Sequence, residues 1–283
     1  FTEGLDPSNF SDQIKDNTEI IKDTLSYDNQ LYKIHNSIRT LRERSPETLS
    51  LHYAISFPGR QYKTARNLRL SPLHSRLEKA GAVFSSQMGW ERPRWFNPKK
   101  ISTHPELSFE KPGWFLLHAQ EHEAARKNVV LIDQSTFGKL IVQGRDSEKF
   151  LQRVCANDIS LAHDKVVYTP MLNEHGGYES DLTIMSLDHD RFLLITGTGQ
   201  PVRDYNWICS KIKPEDFVSI TDITGDYAVI SVAGPNSRKL LSLASPDNFS
   251  NEEFSYFTHR NVEIGPAIVR AARISFTGEL GWE

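Results

Sequence analysis

Two stretches of the sequence combine acids, glycines and strand-like residues in an order that can do chemistry. The first runs Met171-Leu172-Asn173-Glu174-His175-Gly176-Gly177-Tyr178-Glu179-Ser180-Asp181-Leu182-Thr183-Ile184. A strand ends, a Gly-Gly turn follows, and a new apolar strand opens directly on an acid. Such a hairpin holds Asp181 at the mouth of a strand, where a carboxylate can face a cavity; it can equally do no more than close a turn. The second stretch runs Arg273-Ile274-Ser275-Phe276-Thr277-Gly278-Glu279-Leu280-Gly281-Trp282-Glu283. Two glycines and two acids within six residues let the backbone approach a ligand with carboxylates projecting on either side. An ordinary turn between strands would read the same way.

Other patterns carry less. His118-Ala119-Gln120-Glu121-His122 fits the H-x-x-E-H pattern of one zinc peptidase class, with both histidines on one helix face. No third ligand is evident, and an exposed polar helix is the better reading, so no metal site is expected. Gly197-Thr198-Gly199 follows an apolar strand, but Val202 stands where G-x-G-x-x-G needs its third glycine and Pro201 interrupts the loop. A strand-to-helix turn is expected there. Cys155, beside Leu151 on a helix face, reads as core. Asn9-Phe10-Ser11 and Asn248-Phe249-Ser250 match the glycosylation sequon without a sign of secretion.

The elements that must position these residues follow from periodicity. Leu31, Ile34, Ile38 and Leu41 predict an amphipathic helix over about 29–44. Ser71-Pro72 predicts a helix start, with Leu73 and Leu77 on one side and Gly81 as its stop. Residues 90–115, rich in Trp, Phe and Pro, read as a folded loop or packing surface. Further on, helices are expected at about 117–128, 202–211 and 236–244, with another capped by Asp146 and carrying Phe150, Leu151 and Val154. Strands are expected at 139–143, 165–172, 182–187, 191–196 and 226–233. Strands and helices mixed without strict alternation predict an α+β fold.

The whole chain has 283 residues, enough for about two domains. Its 38 % hydrophobic and 24 % charged residues and net charge of −3 describe a globular chain, neither disordered nor fibrous. No stretch approaches the ~18 apolar residues of a membrane span. Two cysteines do not make a disulfide scaffold and fit a reducing compartment. Charge is uneven: residues 1–30 hold seven acids against two lysines, and 60–100 hold ten bases against two acids. The basic residues alternate with apolar ones that look like core, which predicts a solvated face rather than a nucleic-acid site. The sequence opens on Phe1 and closes as a strand is entered, so it is expected to be an internal piece of a longer protein.

Together the two acid-bearing stretches resemble the folate-binding aminomethyltransferase domain of the glycine cleavage T-protein. That domain also forms the C-terminal half of the mitochondrial dimethylglycine and sarcosine dehydrogenases. The resemblance continues through Phe137-Gly138-Lys139, Phe150-Leu151-Gln152-Arg153, Ala156-Asn157-Asp158 and Val232-Ala233-Gly234-Pro235. Upstream, Arg42-Glu43-Arg44-Ser45-Pro46-Glu47, Ser71-Pro72-Leu73-His74 and Gly89-Trp90-Glu91-Arg92-Pro93-Arg94-Trp95-Phe96 look like the dehydrogenases, where the stand-alone T-protein has nothing equivalent. The resemblance covers nearly everything after residue 25.

It implies a three-part division: 1–56 as the tail of an FAD-dependent oxidoreductase domain and linker, 57–113 as its central domain, and 114–283 as a truncated folate-binding domain. It implies a full-length enzyme that uses FAD to oxidise an N-methyl amine, dimethylglycine or sarcosine. Tetrahydrofolate then captures the one-carbon unit as 5,10-methylenetetrahydrofolate. By resemblance Asp181 is catalytic, beside the folate amine, and Glu283 binds the pterin ring; a carboxylate suits the adjacent N–H donors of a pterin. Arg273, Tyr168 and Phe276 line the folate pocket. The family often has Tyr at Phe276, the T-protein has an Asn where this chain reads Thr196-Gly197-Thr198, and Ser180 precedes Asp181 as in dehydrogenase-type members. The mitochondrial matrix and an electron-transfer flavoprotein partner are implied for the full-length protein, with no nucleic acid and no membrane. For this chain alone no bound flavin, no dehydrogenase activity and weak folate affinity are expected. A regulatory relative, such as the pyruvate dehydrogenase phosphatase regulatory subunit, and a stand-alone T-protein-type transferase are the alternatives. Asp181 and the G-E-L-G-W-E run favour the enzyme over the first, and residues 40–100 disfavour the second.

Overall fold

The structure, a computed structural model, describes residue 61 and residues 66–101, 110–163 and 165–283. The helix expected over 29–44 lies outside the described residues. The chain divides into two compact units, Phe1–Arg66 and Asn67–Glu283; the second is described here.

Helix α1 (His74–Lys79) begins two residues beyond Pro72, the expected first helical residue, after a turn in which Ser71 Oγ accepts the Leu73 N–H at 3.1 Å. Gly81, at φ 87°, ends it. Strands β1 (Ala82–Gln87) and β2 (Trp90–Phe96) then form an antiparallel hairpin through Met88 and Gly89, both at positive φ. Residues 90–96 are therefore a strand and not a loop; Pro93 is tolerated because it sits beside a register shift in the pairing. Trp95 is buried and stacks on Trp114, just before α2 (Phe115–Lys127).

The main sheet has five antiparallel strands in the order β5-β6-β7-β4-β8. They are β4 (Gly138–Gln143), β5 (Val167–Leu172), β6 (Tyr178–Asp188), β7 (Arg191–Thr196) and β8 (Ser219–Asp222). Alternation sorts their side chains onto two faces. Leu140, Val142, Leu182, Ile184, Phe192 and Leu194 form one core with Phe150 and Leu151 of α3 (Ser147–Val154) and Ile208 of α4 (Pro201–Ser210). Asp146 stands at the N-cap of α3 as expected. Its carboxylate, however, accepts the Phe217 N–H at 2.9 Å, tying the helix start to the loop before β8. Gly138 lets β4, β7 and the start of α4 approach: a Cβ there would lie 2.6 Å from Thr196 Cγ2 and 2.7 Å from Pro201 Cβ.

The opposite face carries Met185 with Leu193 and Ile195, which pack against Val166, Ala272, Phe257 and Ile274. A second sheet, β12-β9-β3, joins β3 (Val130–Asp133), β9 (Ile230–Ala233) and β12 (Gly281–Trp282). Beside it, Leu241 of α5 (Ser237–Ala244) packs with Phe249, Phe254, Val262 and Trp282. The strand expected over 226–233 is extended only from Ile230, because Asp226 closes a turn onto Ile223. The hairpin of β10 (His259–Ile264) and β11 (Ala267–Ala272), and strands β3 and β8, have no counterpart in the sequence reading. Antiparallel sheets with helices gathered on one face make this an α+β fold, as expected.

Candidate functional site

Asp181 is the fourth residue of β6, opposite Pro170 of β5, and not the strand's opening residue. Its neighbours Leu182 and Ile184 point into the helix-covered core, so alternation turns Asp181, Thr183 and Met185 to the other face. Tyr168, paired with Thr183, shares that face, and its hydroxyl donates to Asp181 Oδ2 at 2.5 Å. That bond above all, then burial and the neighbouring Tyr178 phenol, raises the Tyr168 phenol well above its ordinary value. The Tyr178 phenol is raised as well, first by desolvation. Both phenols stay protonated and can donate toward Asp181. Behind the strand, the buried Asp204 carboxylate of α4 accepts Ser180 Oγ at 2.9 Å and also the Thr196 hydroxyl. Burial raises its pKa, and these two hydrogen bonds oppose the rise. Asp204 thereby locks β6 to β7 one residue from Asp181.

Glu283 is fixed by a different set of contacts. Gly281 and Trp282 pair with Ala233 and Val232 of β9, and the Trp282 ring packs on Phe249 and Phe254. The Glu283 backbone then exchanges two bonds with Ala272: Ala272 N–H to Glu283 O at 2.7 Å, and Glu283 N–H to Ala272 O at 2.9 Å. Ala272 packs with Met185 and Ile195 on the face that carries Asp181, so both acids belong to that side of the sheet. The Glu283 carboxyl is half-buried; burial raises its pKa, the Gln134 side chain opposes, and the charge of Glu279 adds to the rise. Gln134, in the turn after β3, brings its side chain to the Glu283 carboxyl and has no counterpart in the sequence reading. Lys139, on the same face of β4, is 1 % exposed and donates to the Ser135 carbonyl at 2.8 Å. Burial pushes its amine down to about 8 against the opposing charges of Asp222 and Asp133.

Of the five expected site residues, the structure joins Tyr168 to Asp181 and sets Glu283 beside the same face. Arg273 points elsewhere. Its guanidinium donates to the Phe254 carbonyl at 2.6 Å and Asn251 Oδ1 at 2.8 Å, and lies 5.4 Å from the Trp282 ring. Phe276 is fully exposed on a turn. That turn is pinned by Glu279, which accepts Ser275 Oγ at 2.8 Å and the Thr277 hydroxyl.

The weaker patterns have structural occupations. Glu121 accepts the Phe96 N–H at 2.8 Å, and His122 Nδ1 lies 2.8 Å from the His118 carbonyl. Among the described residues no cluster of three or more His, Cys, Asp or Glu could hold a metal ion. Gly197 and Gln200 close the turn into α4, and burial pushes the Cys155 thiol up to about 12. A groove of about 770 Å³ opens at the opposite end of the sheet, lined by residues including Gln143, Asp188, Arg191 and Phe217, and touches none of these acids. Among the described residues no helix is long and apolar enough to cross a membrane.

This arrangement is the fold of an aminomethyltransferase. The glycine cleavage system aminomethyltransferase T of Bartonella henselae matches it with a TM-score of 0.60 over 76 % of this chain and 53 % of that one, at 23 % identity. The chain belongs to the GCVT N-terminal domain family, whose model matches residues 73–283, and residues 23–71 match the FAD dependent oxidoreductase central domain. Among curated proteins it is similar to the 4-methylaminobutanoate oxidase (formaldehyde-forming) of Paenarthrobacter nicotinovorans, 38 % identical over 92 % of this chain and 32 % of that protein. It is also similar to mitochondrial sarcosine dehydrogenase of Mus musculus, 32 % identical over 93 % of this chain and 33 % of that protein. The chain thus spans about a third of the length of these relatives.

Proposed function

We propose that this chain is the folate-binding part of an FAD- and tetrahydrofolate-dependent N-methyl amine dehydrogenase, with sarcosine or dimethylglycine as the substrate class. The observations that carry the reading are Asp181 under the Tyr168 hydroxyl and a half-buried Glu283 whose backbone is bonded to Ala272, a residue packed on the face of the sheet that carries Asp181. The residues suit a folate. Glu283 offers a shielded carboxylate edge to the adjacent N–H donors of a pterin, and Asp181 offers an acceptor to the amine that reacts. Tetrahydrofolate, when bound, supplies the amine that takes up the one-carbon unit, and FAD in the full-length protein takes up the electrons of the amine oxidation. Asp181 stabilises positive charge developing near its carboxylate and can accept a proton there. Tyr168 orients it, and Asp204 keeps β6 from shifting. Phe276 supplies an exposed ring to stack on the ligand, and Arg273 braces Trp282 behind Glu283. A mitochondrial location goes with the mitochondrial sarcosine dehydrogenase relative, and an electron-transfer flavoprotein is the electron acceptor we assign to the full-length protein. The presence of both acids favours an enzyme over a regulatory relative, which needs neither.

Calorimetric titration with 5-formyltetrahydrofolate tests the reading. Binding that weakens at least about tenfold in Glu283→Gln supports it, as expected for a charge-assisted donor pair worth about 1.5–3 kcal/mol. Binding unchanged in that variant overturns it.

A further inference from the structure

Gln134 and Glu283 meet across 149 positions of sequence, each on a fixed backbone. The Gln134 N–H donates to the Val229 carbonyl at 2.9 Å, and its carbonyl accepts the Phe137 N–H at 3.0 Å. The next residue, Ser135, accepts the Val229 N–H on its hydroxyl at 3.1 Å and Lys139 Nζ on its carbonyl at 2.8 Å. Glu283 is held by its two bonds to Ala272. Movement is therefore left to the two side chains.

With the Gln134 amide turned so that nitrogen, and not oxygen, faces the carboxylate, that nitrogen lies 3.2 Å from Oε1 and 3.3 Å from Oε2. One amide thus spans the edge between both oxygens, the edge on which a carboxylate takes two parallel donors. Both distances exceed the ~2.7–2.9 Å of a strong charge-assisted bond. The amide is a weak occupant of a strong position.

We propose that Gln134 is a latch: its amide occupies the ligand-binding edge of Glu283 in the free protein and swings off when a heterocycle with two adjacent N–H donors arrives. The inference rests on Glu283 as the pterin-binding carboxylate and adds a control on that same site. A latch and a mere support predict opposite signs. Removing a support weakens ligand binding, whereas removing a competitor strengthens it.

The full-length protein is titrated with 5-formyltetrahydrofolate at one fixed pH as wild type, Gln134→Leu and Glu283→Gln. The latch predicts about threefold to tenfold tighter binding in Gln134→Leu; unchanged or weaker binding overturns it. Unchanged binding in Glu283→Gln, or no binding in any of the three proteins, overturns the folate reading and the latch with it. An infrared titration of the Glu283 carboxyl without ligand reads the contact separately. Because the amide holds that carboxyl's pKa down, Gln134→Leu must raise it. Absence of a rise overturns the latch while leaving the folate reading intact.

Discussion

Leu140, Val142, Leu182, Ile184, Phe192 and Leu194 point to one face of the five-stranded sheet, each no more than 1 % exposed beneath α3 and α4. The residues that alternate with them on the same strands, among them Lys139, Asp181, Thr183 and Ile195, point to the other face. One face is a continuous hydrocarbon core, while the other mixes apolar contacts with a carboxylate, a phenol and a buried amine. Period-two alternation lets a single strand serve both. Because the helix-covered face already fixes strand identity and register, the alternate positions can hold groups that cost stability. Lys139 shows that cost directly: its amine is driven down to about 8 by burial, despite two nearby acids.

The sharpest way to break this division is to damage the closed face. Phe192→Ala removes a fully buried ring and should cost about 3–5 kcal/mol in urea unfolding. A loss below about 1 kcal/mol would mean that this core is not what holds the sheet together.

Lys139 provides the next test. Its pKa is about 8 folded and 10.5 unfolded. Between those values the unfolded chain binds more protons, so stability rises with pH through that window and the full penalty applies below it. Relative to Lys139→Met, wild type should gain on the order of 3 kcal/mol between pH 8 and 10.5. A flat difference would show that the amine is not held in a desolvated site.

Gly138→Ala should cost about 1–3 kcal/mol, because the new methyl meets Thr196 and Pro201 and forces β4, β7 and α4 apart. Thermal unfolding reads it. The smallest effect belongs to the open face: Tyr168→Phe removes the bond to Asp181 from a half-exposed position and should cost about 0.5–1.5 kcal/mol. A larger loss would make Tyr168 a structural residue and blur the contrast between the faces.

Legibility in the sequence follows the same division. Arg191–Thr196 alternates strictly between exposed or half-buried and buried positions, and α3 and α4 carry clear apolar faces, so these elements could be read. The β10–β11 hairpin could not: most of its residues are exposed or half-buried, and its buried Val262, Ala271 and Ala272 form no alternating stripe along either strand. Asp181 stands out in the sequence as an acid between a Gly-Gly turn and an apolar run, but its place four residues into β6 depends on where pairing with β5 begins. The direction of Arg273 was not legible, because it depends on a one-residue alternation from Ala272 that sends the guanidinium to Phe254 and Trp282. Gln134 left no local signal at all. It matters only through a residue that folding brings to it.

The central claim, that the open face captures a one-carbon unit through Asp181, is tested most directly with Asp181→Asn in the full-length protein. Amine oxidation and transfer of the one-carbon unit to tetrahydrofolate are followed in the same reaction. The account predicts amine oxidation at the wild-type rate and a fall of about 10²–10⁴-fold in transfer, with the carbon released as formaldehyde, because an amide neither carries the charge nor accepts the proton. Transfer at the wild-type rate in Asp181→Asn would contradict it.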